Sequence, residues 1–184
     1  LAHLAKLCVR SIGQPDAGLW EIRNGWQEHS FTNLMCWAGL ERLERIKQAG
    51  HLGPISLDLT SARIHAAEAL LRGVQGGALR NGPTDFSNDA ALSQLPILGY
   101  PNRELCESTV LHITRELALR LFALDGNDPA RFELLPLGPE RARESLEAGQ
   151  IDAAAMVTSF DSPAVKRLLA DPELTLASFR RADA

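Results

Sequence analysis

The chain has 184 residues, of which 45% are apolar and 23% are charged, and its formal net charge is −4. This composition is typical of a soluble globular protein and argues against a disordered chain. Because the arginines and lysines form no basic stripe, nucleic acid is not an expected partner. No apolar run reaches the roughly eighteen residues that a membrane span needs, so we expect no membrane insertion.

The start of the chain and its cysteines bear on where the protein works. Leu1 is not an initiating methionine, and no signal-peptide pattern follows it, so we expect a cytoplasmic protein whose true start lies upstream. The cysteines, Cys8, Cys36 and Cys106, are odd in number and widely spaced within apolar segments. This favours buried thiols in a reducing compartment over disulfides or a zinc site. The five histidines form no cluster with ligand spacing, so we expect neither a metal nor another cofactor.

Helical spacing of apolar residues dominates from about residue 30 to 122. The first predicted helix is capped by Ser30 or Thr32 and ends at Gly50, with an apolar stripe made of Leu34, Trp37, Leu40, Leu43 and Ile46. The second is capped by Thr60 or Ser61 and is ended by the glycines at 76 and 77. Its predicted stripe consists of Ile64, Ala67, Leu71 and Val74.

Two more helices are predicted before the pattern changes. A short one, opened by Ser87 or Asn88, runs from residue 89 toward 98, and Pro96 should end it early. A longer one spans residues 103 to 121 and has on one face Val110, Ile113 and Leu117. Helices linked by polar turns indicate an architecture of helical hairpins.

After residue 126 the pattern changes to short apolar runs that alternate with helices. Residues 132–137, 151–157 and 174–179 are suited to strands, while Pro139 and Pro163 each fit the first position of a helix. The order β-α-β-α-β implies a parallel sheet with right-handed crossovers. We therefore expect a mainly α chain that ends in a small α/β segment, with the boundary between residues 119 and 130.

Residues 14 to 42 combine the side chains that sugar chemistry needs. A turn at residues 15–18 precedes Glu21, which stands between Trp20 and Arg23, and Trp26 follows. Indole faces can stack on a pyranose, a guanidinium donates a fork of hydrogen bonds to hydroxyls, and a carboxyl group can supply a proton. The competing interpretation is that Glu21 is an ordinary surface carboxylate and that the tryptophans belong to the core.

The runs "PDAGLWEIR" and "HSFTNLMCWAGLERL" resemble the segment of glycoside hydrolase family 15 (glucoamylase-like and trehalase-like enzymes) that holds the general acid. The resemblance extends through "SNDAALSQLPILGYPNRELCESTVLHITREL" and covers about residues 8 to 119. It implies that Glu21 is the acid and that Trp20, Arg23, Trp26 and His29 lie at the substrate site. The family fold it implies is an (α/α)6 toroid, here partial and placed in residues 1–122. Asp89 matches an aspartate of the family's "DA" signature.

The resemblance also implies an inverting mechanism on α-glucosidic bonds. Inversion needs a second carboxylate as general base, roughly 6.5–9.5 Å from the acid. The chain departs from the family after about residue 119, before the segment that would hold this base, and Ile22 stands where fungal members have a second acidic residue. If a base exists in this chain, the candidates are Asp85 and Asp89. We expect the polypeptide alone to be inactive.

About residues 121–184 resemble a different family, the TAXI-type solute receptors of TRAP transporters, which have a type II periplasmic-binding fold, and we place the corresponding segment at residues 123–184. The resemblance is in "FELLPLGPERARESLEAGQIDAAAMVTSF", in the Ser162–Pro163 pair and in the closing "FRRADA". It implies ligand contacts at Thr158, Ser159 and Ser162, near a helix N-terminus. The competing interpretation is that Ser162 only caps a helix.

The sequence thus predicts a hybrid of an incomplete glycosidase domain and a partial solute-receptor-like segment. The expected substrate is an α-glucoside or oligosaccharide, and unpartnered apolar faces predict self-association. The alternatives are a solute-binding module and a helical interaction protein without a small ligand.

Overall fold

The computed structural model of the chain is mainly helical, which confirms the predicted class at that level. It divides into two compact units, residues 1–113 and 114–184. The residues that it describes are 1–19, 21, 25–124, 126, 128–135, 137–154 and 162–175. Among these, no helix is both long enough and apolar enough to cross a membrane.

The first unit contains four α-helices or parts of them, two short strand pairs and a short 3₁₀ helix. The helices are α1 (Ala2–Ser11), α2 (Ser30–Gln48), α3 (Leu59–Leu71) and α4 (Arg103–Leu124), which continues past the unit boundary. The strands are β1 (Pro15–Asp16), β2 (Gln27–Glu28), β3 (Val74–Gln75) and β4 (Ala78–Leu79). Both pairs, β1–β2 and β3–β4, are antiparallel.

The core of this unit is centred on the contact between α2 and α3, with α1 packed on α2. On α2 the predicted stripe is confirmed for Leu34, Trp37 and Leu40, all of which are buried. The ring of Trp37 meets Tyr100 edge to face, with 4.8 Å between the ring centroids, a favoured aromatic geometry.

The predicted apolar stripe of the second helix is only half correct, because Ala67 and Val74 are partly buried against the core but the other two residues are not. Ile64 and Leu71 are exposed, and the helix instead buries a row made mostly of alanines: Leu59, Ala62, Ala66, Ala69 and Leu70. Alanine side chains are short, so they let the α3 backbone approach α2 closely, while Leu59 and Leu70 lie at the two ends of the buried row.

Two predicted helix starts are displaced in the structure. Asp58, not Thr60 or Ser61, caps α3, because its carboxylate accepts a hydrogen bond from the backbone N–H of Ser61 at 3.1 Å. Asp89 caps the 3₁₀ helix Ala90–Gln94 in the same way. Asp58 lies two or three residues before the expected cap and Asp89 one or two residues after it, and each carboxylate satisfies an N–H group at its helix start.

A β-hairpin replaces the predicted end of the second helix. The helix stops at Leu71, and β3 and β4 pair across Gly76 and Gly77 with Val74 opposite Leu79. Both glycines have a positive φ, 60° and 78°. Two successive positive φ values are the requirement of a type I′ turn, which suits a two-residue hairpin better than a simple helix stop.

The second unit contains α5 (Pro139–Glu147), α6 (Pro163–Ala170) and a 3₁₀ turn, Pro129–Arg131. The prolines lie at the helix starts, as predicted. Residues 132–135, 137, 151–154 and 174–175 form no strand, and the rest of the three expected strands lies outside the described residues. A strand needs a neighbour that pairs with its backbone, and the described part of this unit supplies none.

Candidate functional site

The segment with the acid motif is a loop that is closed at its base by β1 and β2. Pro15 lies opposite Glu28, and Asp16 lies opposite Gln27. At the start of the loop, the Asp16 carboxylate accepts a hydrogen bond from the backbone N–H of Gly18. The turn that the sequence predicts at residues 15–18 therefore lies where the first strand gives way to the loop. We call residues 17–26 the acid loop.

Glu21 is exposed on the acid loop, and its backbone is unusual. Its φ is +48°, which makes it the one non-glycine residue with a positive φ in the described parts of the chain. Its N–H donates to the carbonyl oxygen of Gly18 at 3.2 Å. A left-handed backbone costs a non-glycine residue on the order of 1–2 kcal/mol, and such conformations concentrate at functional sites.

The structure describes only one of the three residues predicted to bind the sugar beside Glu21. Trp26 is 73% exposed, which is high for an indole, so its ring faces remain open to a ligand. Trp20 and Arg23 lie outside the described residues. The structure thus displays Trp26 and Glu21 on one loop and leaves the other two residues as sequence predictions.

His29, the fourth predicted substrate residue, is only 3% exposed. Its Nδ1 lies 3.2 Å from the Asn81 side-chain oxygen, while its Nε2 has no hydrogen-bond partner among the described residues. Gly18 covers the ring so closely that a Cβ there would come within 2.9 Å of Nε2. In this arrangement the His29 ring packs under Gly18 of the acid loop, and a sugar would have to displace Gly18 to contact the ring.

Asp85, a candidate base, accepts hydrogen bonds that connect β2, at the base of the acid loop, to the segment after β4. Its carboxylate accepts from the side-chain amides of Gln27 at 2.9 Å and Asn81 at 2.6 Å, and from the N–H of Ser87 at 3.0 Å. Burial by itself raises the pKa of Asp85, but these hydrogen bonds outweigh burial and lower the pKa to about 2. So acidic a carboxyl group is a weak base.

Asp89, the other candidate base, is buried and caps the 3₁₀ helix through a 2.9 Å hydrogen bond from the N–H of Ala91. This role is structural, and it leaves little surface to contact a water molecule on a sugar.

Sequence reasoning missed the residues that fix β2 and the start of α2. Glu28 forms an ion pair with Arg72 and accepts from the Asn33 amide at 2.9 Å. The carbonyl of that amide accepts from the N–H of Gly13, also at 2.9 Å. One signal was available, since Asn33 shares the buried face of α2 with Trp37 and Leu40, and a buried amide must find partners.

A cleft of about 580 Å³ lies between α1, residues 14–19 and the first turns of α2. Its lining mixes polar and apolar side chains, among them Arg10, Gln14, Asp16, Leu19, Phe31 and Met35. Gly18 also lines the cleft and accepts the hydrogen bond from Glu21. The acid loop therefore starts at the wall of this cleft.

Of the predicted ligand residues of the second unit, the structure describes only Ser162. Thr158 and Ser159 lie outside the described residues, and Ser162 stands directly before α6 without a side-chain hydrogen bond to the helix. Ser162 thus has the position of a cap but not its contact. Within the described ranges, no group of three or more His, Cys, Asp or Glu residues could hold a metal ion.

Comparisons with protein-family models, with curated proteins and with solved structures found no match to this chain. The glycosidase and receptor resemblances therefore depend on the residues quoted for them.

Proposed function

We propose that residues 1–122 are part of an inverting glycoside hydrolase that acts on α-glucosidic bonds, with Glu21 as its general acid. The observation that supports this most is the backbone of Glu21, a left-handed conformation on an exposed loop. Strained backbone conformations of this kind concentrate at functional sites. The strand pair, His29 and the hydrogen bonds of Asp85 hold the loop from which Glu21 projects.

The sugar binds against the acid loop in this proposal. Trp26 offers an open indole face for a pyranose ring, and Trp20 and Arg23 supply a second face and a hydroxyl donor. The adjacent cleft is wide enough for part of an oligosaccharide, and Asp16, Gln14 and Arg10 line it with the polar groups that hydroxyls need. The substrate is therefore an oligosaccharide rather than a single sugar.

This polypeptide alone binds the sugar but does not hydrolyse it. An inverting enzyme needs a base that activates water on the far side of the ring. Asp85 is held as a hydrogen-bond acceptor with a pKa of about 2, and Asp89 is buried as a helix cap. Neither carboxylate is suited to take a proton from water, and a missing base costs roughly 10²–10⁴-fold in rate.

Sugar binding is tested by titrating the full chain with maltotriose in a calorimeter. We expect a dissociation constant on the order of 1 mM and at least a tenfold loss, or about 1.4 kcal/mol, in Trp26→Ala. Phe86→Ala is the matched control, because Phe86 is also an exposed aromatic residue, 57% exposed, but lies outside the acid loop. Equal weakening in both variants, or no binding by the unaltered chain, would contradict the proposal.

Catalysis is tested by glucose release from maltose, maltotriose and trehalose. We expect no release by the unaltered chain or by Glu21→Gln. If the unaltered chain released glucose and Glu21→Gln did not, Glu21 would still be the acid, but the chain would also contain a general base, which contradicts the expected inactivity.

The fold proposed with this function is a partial (α/α)6 toroid in residues 1–122, followed by an α/β segment in residues 123–184. Helices of a partial toroid leave apolar faces without partners, and Leu4 and Leu7 of α1 and the preceding Leu1 are exposed in this way. Self-association follows, and light scattering that shows a monodisperse monomer would contradict it. Solute binding by residues 123–184 stays a sequence prediction.

A further inference from the structure

Two of the cysteines meet where α1 packs on α2. The Cys8 sulfur lies 3.6 Å from the carbonyl oxygen of Cys36, and the Cys36 sulfur lies 3.5 Å from the carbonyl oxygen of Cys8. The two thiols are also near enough to shift each other's pKa. This reciprocal arrangement brings together two side chains that are 28 positions apart in the chain.

Both thiols line the cleft beside the acid loop, and they differ in access. Cys8 is partly exposed, and Cys36 is buried. A small oxidant that enters the cleft therefore reaches Cys8 first. Cys106 provides a contrast inside the same unit, since it is buried, does not line the cleft, and its sulfur lies 3.6 Å from the carbonyl oxygen of Tyr100.

The electrostatics of the pair give the two thiols different roles. The hydrogen bond with Cys36 lowers the pKa of Cys8 and outweighs the opposing effect of burial. The same hydrogen bond, together with burial and the negative charges of Cys8 and Asp16, raises the pKa of Cys36. Burial and the nearby Glu107 raise the pKa of Cys106. The thiolate is the reactive form of cysteine, so Cys8 is the best nucleophile of the three.

We propose that Cys8 and Cys36 are a redox site, a dithiol that hydrogen peroxide converts into a disulfide. The Cys8 thiolate attacks one peroxide oxygen and breaks the O–O bond, which yields a sulfenic acid on Cys8 and hydroxide. The Cys36 sulfur then attacks the Cys8 sulfur, the S–S bond forms, and the sulfenic oxygen leaves as water. In total two thiols and one peroxide give one disulfide and two waters.

The cross-link would join α1 to α2 at the wall of the cleft that the acid loop borders. Since a thiol such as glutathione reduces an accessible disulfide by exchange, the site is reversible. A reversible disulfide agrees with the cysteines being free thiols in a reducing environment. It needs two cysteines only, whereas a metal site would need at least a third ligand.

The test is exposure of the full chain to a small excess of hydrogen peroxide, followed by thiol titration, intact mass and a non-reducing peptide map. We expect the free thiols to fall from three to one, the mass to drop by two hydrogen atoms, and a peptide pair joining Cys8 to Cys36. Dithiothreitol should restore all three thiols. Three unchanged thiols, or cross-links only between chains, would overturn the proposal.

Serine variants separate the roles of the three cysteines. Cys106→Ser should still lose two thiols, whereas Cys8→Ser should keep both of its thiols under the same treatment. Cys36→Ser should stop at the sulfenic acid on Cys8, which the reagent dimedone traps. The assignment would be overturned by a disulfide that involves Cys106 or by labelling of Cys36 in preference to Cys8. If a variant fails to fold, the peptide map of the unaltered chain decides whether Cys8 and Cys36 form the disulfide.

Discussion

Gly82 packs directly against the base of the acid loop, and replacing it by alanine tests that packing. A Cβ at this position would lie 2.2 Å from the backbone carbonyl oxygen of Glu28, the last residue of β2. Real Cβ contacts are essentially never shorter than 3.0 Å, so the two backbones must separate by about 0.8 Å or more. No side chain can rotate away to relieve the clash. Overpacking costs typically 1–3 kcal/mol, and we expect Gly82→Ala to cost about 3 kcal/mol because both sides are backbone.

The matched control is Gly39→Ala on the exposed side of α2. A Cβ there meets nothing within 4 Å, and alanine in a helix is about 0.5–1 kcal/mol better than glycine, so this variant should be more stable than the unaltered chain. The assay is urea unfolding followed by tryptophan fluorescence, since all three tryptophans lie in residues 1–113 and report on that unit. A Gly82→Ala variant within about 0.5 kcal/mol of the unaltered chain would refute the packing argument.

Three further predictions concern the charges, the core and the redox site. The folded-state pKa of Asp85, about 2, lies below its ordinary value of 3.8; its stabilising effect is therefore complete above about pH 4 and is lost as the pH falls through 2. The carboxylate is partly solvated, so screening reduces the effect to about 1 kcal/mol, and Asp85→Asn should abolish this part of the acid dependence of urea unfolding. Leu34→Ala should lower the free energy of unfolding by about 2–5 kcal/mol, since Leu34 is 0% exposed. The control Ile97→Ala, at a residue 80% exposed, should change it by less than about 0.5 kcal/mol. Similar effects of the two substitutions would contradict the placement of Leu34 in the core. The Cys8–Cys36 disulfide joins cysteines that are 28 positions apart, so the chain-entropy estimate predicts that it stabilises the oxidised chain by about 3–4 kcal/mol. An oxidised chain that unfolds at a lower urea concentration than the reduced chain would show that the bond strains α1.

The helices of the first unit could largely be predicted from the sequence. On α2 and α4, large apolar side chains recur at helical spacing, and Leu34, Trp37 and Ile113 are buried as that spacing requires. The last predicted residue of each stripe is wrong, since Ile46 and Leu117 are exposed. On α3 the same reasoning failed, because Ala66 and Ala69 make the contact and alanine gives a weak periodic signal. Burial on that helix is decided by how close α2 comes, which is a tertiary property.

Helix α1 was missed for a different reason. Its buried positions include Ala5, with Cys8 and Val9 partly buried, while Leu4 and Leu7 are exposed. The apolar pattern of α1 is amphipathic, but its larger leucines lie on the open face and its buried or partly buried side chains are the smaller ones, so side-chain size misleads about which face is buried.

The position of Glu21 on a loop could be predicted from the turn at residues 15–18, but its surroundings could not. The contacts that hold the acid loop join His29 to Asn81 and Gln27 to Asp85, residues that are 52 and 58 positions apart. Local spacing contains no information about hydrogen bonds over such separations. The burial of His29 under Gly18 depends on the same long-range packing.

The central claim, that the acid loop is a sugar-binding site, is tested most directly by NMR. The ¹⁵N-labelled chain is titrated with maltotriose while the backbone amide and tryptophan indole resonances are followed. We predict saturable shifts that are confined to residues 17–29 and the lining of the adjacent cleft, with the Trp26 indole among the largest. Saturable shifts centred on Ser162 and α6, or no saturable shift in residues 17–29, would contradict the account.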